Sequence, residues 1–220
     1  MPEFMGKKMT RAHESARIAY RKALAKAVRA GAKGSGWRSA DGCLFQERAG
    51  WFISVSPSVY IFEEITKASI SAKPMAIDPI FWDITGLPEN RDAPMSFRLN
   101  GAWVCRPPDF AEIEIPEHDD ANVVAARLLA TADAQLDRVI TTWTPRAFLS
   151  LCVEKGTDRS GYLPSIVTSL IAMGQDEDAL TDCEQAILNG QDGGFLAPDG
   201  TFAEMARNWL VSRIAARTVN

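Results

Sequence analysis

The side chains that could carry acid–base or metal chemistry are few in this sequence, and they are dense in only one place. Histidine occurs at two positions, His13 and His118. His118 lies among Glu117, Asp119 and Asp120, and a group of carboxylates around a histidine could hold a cation. Metal sites, however, usually take their ligands at fixed spacings from one rigid element, and this run lacks such a spacing. We therefore expect neither a metal site nor a bound cofactor.

The sequence motifs of the common enzyme classes are absent. There is no GxSxG elbow, no HExxH pair, no P-loop and no EF-hand order of acids. The glycines of residues 31–36 follow a predicted helix and precede a predicted strand, which reverses the order found in phosphate-binding loops. We expect a non-catalytic protein, and the alternative is an enzyme or small-ligand-binding protein that uses scattered carboxylates with Arg98 or Arg106. The cysteines are far apart, which favours buried free thiols over a zinc site: Cys43, Cys105, Cys152 and Cys183.

Carboxylates are concentrated in two stretches of the chain. Each stretch could be an ordinary solvated surface. The more specific hypothesis is a docking surface whose charge steers a basic partner. In the first stretch, Glu112 and Glu114 alternate with isoleucines, so an extended segment would point both carboxylates outward. The predicted partner-binding residues of the first stretch are Glu112, Glu114, Glu117, Asp119 and Asp120. Those of the second stretch are Asp176, Glu177 and Asp178.

The composition is typical of an ordinary folded protein. The chain has 220 residues, of which 46% are hydrophobic and 24% charged, so it is long enough to bury a core without disulfides. No apolar run reaches the length of a membrane helix, and the start of the chain lacks the apolar core of a signal peptide. We expect a cytoplasmic protein that does not bind a membrane. Residues 1–9 are predicted to be a tag or disordered.

A basic helix is predicted from Thr10 to Lys33, with Thr10 as its N-cap and Gly31 at its end. Its apolar stripe, which includes Ile18 and Leu24, is predicted to pack on a sheet. Residues 1–38 carry ten Lys or Arg against two Glu, a balance of +8 in a chain whose net charge is −4. Such a helix is typical either of a nucleic-acid or membrane surface or of a solvated face. We favour the solvated face, because no aromatic residues alternate with the charges, and we do not expect nucleic-acid binding.

The stretch from Cys43 to Ala72 is predicted to form consecutive antiparallel strands. Residues 51, 53 and 55 are apolar and residues 54 and 56 are serines, which predicts one buried and one wet face. Arg48-Ala49-Gly50 is the predicted connection, and Pro57-Ser58 is predicted to interrupt the second strand. Further along, Asp78 is predicted to cap a short helix that has Pro79 at its first position. Asn100-Gly101 predicts the turn of a hairpin within residues 95–104.

The second half of the chain has helical periodicity. Five helices are predicted, at residues 122–143, 145–156, 164–173, 177–188 and 201–217, with Thr144 as one cap and Thr201 and Glu204 as a capping box. The predicted fold class is α+β: an N-terminal helix, an antiparallel sheet of about five or six strands and a C-terminal helical half. The predicted domains are residues 10–120 for the sheet and residues 121–220 for a helical subdomain.

Two segments and the helical tail carry a resemblance. The segments GWRSADGCLFQERAGWFISVSPSVY and KPMAIDPIFWDITGLPENRDAPMSFRLNGAW resemble small uncharacterised bacterial α+β proteins, some of which accompany toxin genes as immunity proteins. The resemblance covers roughly the middle third of the chain and brings no catalytic residue with it. It implies a bacterial protein that neutralises a toxin or secreted effector. We therefore expect a protein-binding module whose partner is a protein, such as a basic toxin.

Overall fold

The computed structural model describes residues 10–60, 65–96, 99–116, 120–156 and 161–218 of the chain. It confirms the α+β class, with an N-terminal helix, a five-stranded antiparallel sheet and a mostly helical C-terminal half. None of the described helices is long and apolar enough to cross a membrane.

The main sheet has the strand order β1-β2-β3-β4-β5, and a two-stranded ribbon pairs β6 with β7. The strands are β1 (Arg38–Ala40), β2 (Cys43–Arg48), β3 (Trp51–Tyr60), β4 (Ile65–Pro74), β5 (Asp109–Pro116), β6 (Leu196–Ala197) and β7 (Gly200–Thr201). The α-helices are α1 (Arg11–Ala32), α2 (Ile77–Ile84), α3 (Ala121–Thr142), α4 (Pro145–Lys155), α5 (Leu163–Ala172), α6 (Asp176–Leu188) and α7 (Phe202–Thr218). A 3₁₀ helix spans Pro88–Asp92.

The chain divides into two compact units whose segments alternate along the sequence. Unit 1 contains the described parts of Met1–Gln46, Ser54–Ile70 and Ala111–Gln135. Unit 2 contains the described parts of Glu47–Ile53, Ser71–Phe110 and Leu136–Asn220. Each unit is described separately below.

In unit 1, α1 begins where the sequence predicted, because the Thr10 hydroxyl accepts a hydrogen bond from the backbone N–H of His13 at 3.3 Å. The helix buries Leu24, Val28 and Ala32. Ile18, which was predicted to share this stripe, is 44% exposed. The prediction for Ile18 was wrong because six residues at 3.6 residues per turn place it about 120° around the helix from Leu24.

Gly31 does not end α1, which continues to Ala32. A Cβ built on Gly31 would lie 2.6 Å from Cδ1 of Leu129 on α3, so the glycine lets the two helices approach closely. Near this contact the indole Nε1 of Trp37 donates to the Asp133 carboxylate at 2.8 Å.

The predicted hairpin between β2 and β3 is present. Ala49 and Gly50 have φ of 53° and 78°, as both central residues of a type I′ turn require. Two details of β3 were predicted wrongly. Its first five residues, Trp51 to Val55, are all buried, Ser54 included, so both faces are covered there and only the second half has an exposed face. The strand also continues through Pro57, whose fixed φ suits an extended chain although its nitrogen cannot donate to the ladder.

In unit 2, Asp78 does not cap α2. The N-cap position is Ala76 and makes no side-chain cap hydrogen bond, while Asp78 lies in the first turn with its side chain fully buried. The capping prediction failed because the Asp78 carboxylate has another partner, the ammonium group of Lys73 at the end of β4.

The predicted hairpin at residues 95–104 was also wrong, since the described part of this segment contains no strand. Asn100 does have a positive φ of 50°, but its side chain is buried and organises a loop. Its Oδ1 accepts from the Trp82 indole at 2.7 Å, and its Nδ2 donates to the carbonyls of Asn90 and Ala93, both at 2.8 Å. The fifth strand of the sheet is instead β1, which pairs with β2.

The helices of the second half lie close to their predicted limits. Thr144 caps α4 by accepting from the backbone N–H of Ala147 at 3.2 Å. The capping box at α7 is formed, since the backbone N–H groups of Thr201 and Glu204 each donate to the other residue's side chain. Hydrogen bonds that the backbone N–H and the hydroxyl of Thr201 donate to the Glu204 carboxylate lower the pKa of Glu204. The α5 helix is buried from Leu163 to Ile171 and supplies much of the core of unit 2.

Candidate functional site: an acidic sheet face

Three neighbouring strands of unit 1 place four functional side chains on one face of the sheet. Tyr60 ends β3, Lys67 lies on β4, and Glu112 and Glu114 lie on β5. On β5, exposure alternates from Ala111 to Ile115, so both glutamates point away from the buried Ile115. We call these four residues, Tyr60, Lys67, Glu112 and Glu114, the acidic sheet face.

Lys67 connects the members of the acidic sheet face. Its ammonium group lies 2.7 Å from the Glu114 carboxylate and 3.8 Å from that of Glu112. The same group lies 5.7 Å from the centroid of the Tyr60 ring, within the range of a cation–π contact. One lysine therefore contacts two glutamates and one tyrosine, and the four residues together keep a net charge of −1.

The acidic sheet face is accessible to another molecule. The side chains of Glu112 and Glu114 are 57% and 56% exposed, and Tyr60 is 44% exposed, whereas Lys67 is only 26% exposed. The carboxylates and the aromatic ring are thus available while the lysine lies beneath them. β5 is the last strand in the sheet order, so the backbone groups on its outer edge are not paired with another strand of this sheet. This edge lies next to the carboxylates of Glu112 and Glu114 on the same strand.

The remaining residues of the first predicted cluster lie close in sequence to β5. Asp120 is exposed just before α3, and its Oδ1 accepts hydrogen bonds from the backbone and side-chain nitrogens of Asn122, both at 3.0 Å. Glu117, His118 and Asp119 lie outside the described residues. The structure therefore places Glu112 and Glu114 together, and Asp120 at the start of the following helix.

The second predicted cluster lies at the start of α6 in unit 2. Asp176 is buried, and its Oδ2 accepts from Arg213 at 2.8 Å and pairs with Arg217 at 2.5 Å. It therefore ties α6 to α7. Glu177 and Asp178 are exposed, and Asp178 accepts a hydrogen bond from Gln175 at 2.9 Å.

The enzymatic alternative relied on two arginines, Arg98 and Arg106. Arg106 is exposed, and its backbone carbonyl accepts a hydrogen bond from the Ser165 hydroxyl at 2.9 Å. Arg98 lies outside the described residues. Within the described residues, no three His, Cys, Asp or Glu side chains are grouped so that they could hold a metal ion. A groove of about 260 Å³ in unit 2 is lined by apolar residues such as Leu149 and Val153 and by the acidic residue Asp182.

A completely buried ion pair among the described residues was not predicted. In unit 2, the ammonium group of Lys73 and the carboxylate of Asp78 form an ion pair at 2.6 Å with both side chains completely buried. Lys73 also donates to the carbonyl of Val104 and lies 5.8 Å from the Phe52 ring centroid. Loss of hydration raises the pKa of Asp78 to about 6, against the attraction of Lys73, which lowers it. Among the described residues, Oδ2 of Asp78 has no hydrogen-bond partner.

Cys105 lies beside this ion pair. Its thiol lies 3.5 Å from the Thr168 hydroxyl and 3.9 Å from the Ile77 carbonyl. Burial is the main cause that raises the pKa of Cys105 to about 12, and the nearby Asp78 carboxylate raises it further. A thiol with this pKa is protonated and unreactive at neutral pH. The four cysteines are all free, and three of them are buried, as predicted.

Comparison with known proteins adds no functional assignment: no protein-family model, no curated protein and no solved structure matches this chain.

Proposed function

We propose that this protein is a non-catalytic protein-binding module that holds a basic protein partner on its acidic sheet face. The observation that supports the proposal is the rigid placement of Glu112 and Glu114 on the edge strand β5, with the exposed ring of Tyr60 beside them. Carboxylates steer a basic partner during association, and a desolvated aromatic ring supplies much of the affinity of an interface. The acidic sheet face offers both features within one unit.

The pairing with Lys67 favours binding over simple solvation. A glutamate on a strand that is held by a neighbouring lysine has lost part of its side-chain freedom before a partner arrives. A partner's arginine or lysine can add its own contacts to the glutamates beside those of Lys67, because two carboxylates and one ammonium group leave a net charge of −1. Binding at this site thus requires little reorganisation.

The biological role that we propose is neutralisation of a basic toxin or secreted effector by an immunity protein in the bacterial cytoplasm. The resemblance carried by residues 36–60 and 73–103 is the basis of this role, and the four free cysteines suit a reducing compartment. A basic partner is the expected match, because a toxin that acts on nucleic acid needs a positive groove.

The test compares three forms of the protein as baits. The first is the wild type, the second is the E112Q/E114Q variant, and the third is an E89Q/E154Q control that removes two exposed carboxylates of unit 2. We expect a basic protein to be captured by the wild type and the control and to be lost or reduced with E112Q/E114Q. Association rates measured with that protein should fall about tenfold at low salt in E112Q/E114Q, because steering by surface charge raises such rates by 10-fold or more.

A further variant separates affinity from steering. Tyr60→Ala should leave the association rate nearly unchanged and raise the dissociation rate about tenfold, since an anchor residue contributes on the order of 1–2 kcal/mol or more. Identical capture by the wild type and E112Q/E114Q would refute the proposed surface. Capture that is lost only in an E177Q/D178Q variant would move the binding site to the second acidic cluster.

A further inference from the structure

The exposed side of α1 carries a line of five basic residues. Lys22, Lys26 and Arg29 lie on α1 at steps of four and three residues, and Lys33 is the C-cap residue that follows Ala32. Arg11 precedes Lys22 by eleven residues, which is three helical turns. All five are exposed. At a rise of about 1.5 Å per residue, the line is about 33 Å long from Arg11 to Lys33. We call these five residues the basic stripe.

The charges of the basic stripe are not neutralised by the residues that the structure describes. Across the part of the chain that the structure describes, no ion pair involves any of the five residues, and the one acidic residue of α1, Glu14, pairs with Arg17 at 2.7 Å. Other cations do have partners, such as Arg213 with Asp176 and Lys67 with Glu114. Positive charge is therefore concentrated on one helix of a chain whose net charge is −4.

The burial of α1 indicates which kind of anion can bind. The apolar side of its C-terminal half, with Leu24, Val28 and Ala32, is already buried in unit 1. An interfacial membrane helix would need that apolar side to enter the lipid, so a bilayer is a poor match. Residues 11–23 contain no fully buried residue, and although Glu14, Arg17 and Tyr20 are half-buried, the side that carries Arg11 and Lys22 is open to a large ligand.

We infer that the basic stripe binds the phosphate backbone of double-stranded nucleic acid without reading its bases. A duplex presents one negative charge per about 1.7 Å of axis, so phosphates are available both to the four cations from Lys22 to Lys33, which span about 17 Å, and to Arg11, about 17 Å further along the helix. Lysine and arginine are the usual phosphate contacts in such complexes. The lack of aromatic residues in the stripe, from which we expected no nucleic-acid binding, weighs only against single strands, which are held by stacking, and not against a duplex. We therefore replace that expectation by duplex binding. This binding site is separate from the acidic sheet face and does not depend on the function proposed for it.

The experiment uses a fluorescently labelled 20-base-pair DNA duplex and measures its binding to the full chain by anisotropy as salt is varied. For four to five phosphate contacts, the plot of log K against log salt should have a slope of about −4, so affinity should fall roughly 200-fold between 50 and 200 mM salt. The variant K22A/K26A/R29A/K33A should lose this binding and keep its helical signal and melting temperature. Alanine favours the helix, and the four side chains are exposed.

A matched control excludes a mere effect of net charge. The variant R138A/R146A/K155A/R207A also removes four exposed cations, so both variants have the same net charge. We expect the control to bind the duplex within about twofold of the wild type. Equal weakening in both variants, or a wild-type slope near zero, would overturn the inference. It would also be overturned if the stripe were needed only for binding phosphatidylserine vesicles, for self-association measured by light scattering, or for an acidic protein, while duplex binding was absent.

Discussion

Replacing Lys73 by methionine should destabilise the protein by an amount that grows with pH. Methionine keeps the length and the apolar part of the side chain but removes the ammonium group that pairs with Asp78 at 2.6 Å and donates to the Val104 carbonyl. Both partners are buried, so water cannot replace the lost contacts. The variant therefore leaves one carbonyl without its donor and one buried carboxylate without its cation.

The two losses have different pH dependences. The carbonyl of Val104 should contribute a loss of about 1–3 kcal/mol at every pH. The pKa of Asp78 in the folded protein, about 6, lies above its ordinary value of 3.8, so its contribution to stability is complete below pH 3.8 and is lost as pH rises through the folded-state pKa. Without Lys73 that pKa rises further, because the attraction that lowered it is gone. The variant should then keep losing stability above pH 6, where the wild type no longer does.

The difference in unfolding free energy between wild type and variant follows from this rise in the pKa of Asp78. Each pH unit between the two folded-state pKa values adds about 1.4 kcal/mol to the destabilisation. We expect a difference in unfolding free energy of about 2 kcal/mol at pH 5 that grows to roughly 3–5 kcal/mol at pH 8, because the pKa of Asp78 rises when its cation is removed.

The measurement is urea unfolding at several pH values, followed by tryptophan fluorescence. This signal suits the question because Lys73, Asp78 and Val104 lie in unit 2, which also contains five of the six tryptophans. K73M/D78N has no titrating group at position 78, so its difference in unfolding free energy from the wild type should no longer increase above pH 6. In R48M, which breaks the exposed pair of Arg48 with Asp137, the loss should stay below about 1 kcal/mol at every pH. If the loss of unfolding free energy in K73M were the same at pH 5 and pH 8, this account of the buried pair would be refuted.

Two further predictions concern the loop that was expected to be a hairpin. Asn100→Gly keeps the positive φ available but removes the side chain that binds the Trp82 indole and several carbonyls, so we expect a loss of about 3 kcal/mol in urea unfolding, whereas an Asn-Gly hairpin turn would tolerate glycine. Gly101→Ala would place a Cβ 1.7 Å from the backbone oxygen of Ser96, so the loop must move; we expect a lower melting temperature, and an unchanged one would contradict the packing of this loop.

Local patterns in the sequence predicted the elements that local chemistry decides. Thr10 and Thr144 cap their helices, and Ala49-Gly50 makes the tight turn, because each depends on residues within four positions. Asn100-Gly101 has an equally strong local pattern, yet it forms no hairpin. There the Trp82 indole, eighteen residues away, needs a buried acceptor, and this long-range hydrogen bond decides the structure of the loop.

The candidate site was predicted only in part, for the same reason. Alternation along β5 was enough to direct Glu112 and Glu114 outward. The sequence could not show that Tyr60 and Lys67 would join them, because strand order and register decide which residues of β3 and β4 are neighbours. The only available signal was Lys67 itself, one of two lysines among the small and apolar residues of β4.

There was even less indication in the sequence of the pair of Lys73 and Asp78. A lysine before Pro74 is typical of the end of a strand, and an aspartate before Pro79 is typical of a helix cap. They pair because β4 ends and α2 begins only a few residues apart, and the intervening chain turns both side chains into the core of unit 2. Two apolar side chains of similar volume could often fill such a place without loss of stability. Their most specific structural effect is therefore to fix Val104, whose carbonyl accepts from Lys73, and with it the loop that leads into β5. The buried pair in unit 2 thus stabilises the segment of chain from which the edge strand begins.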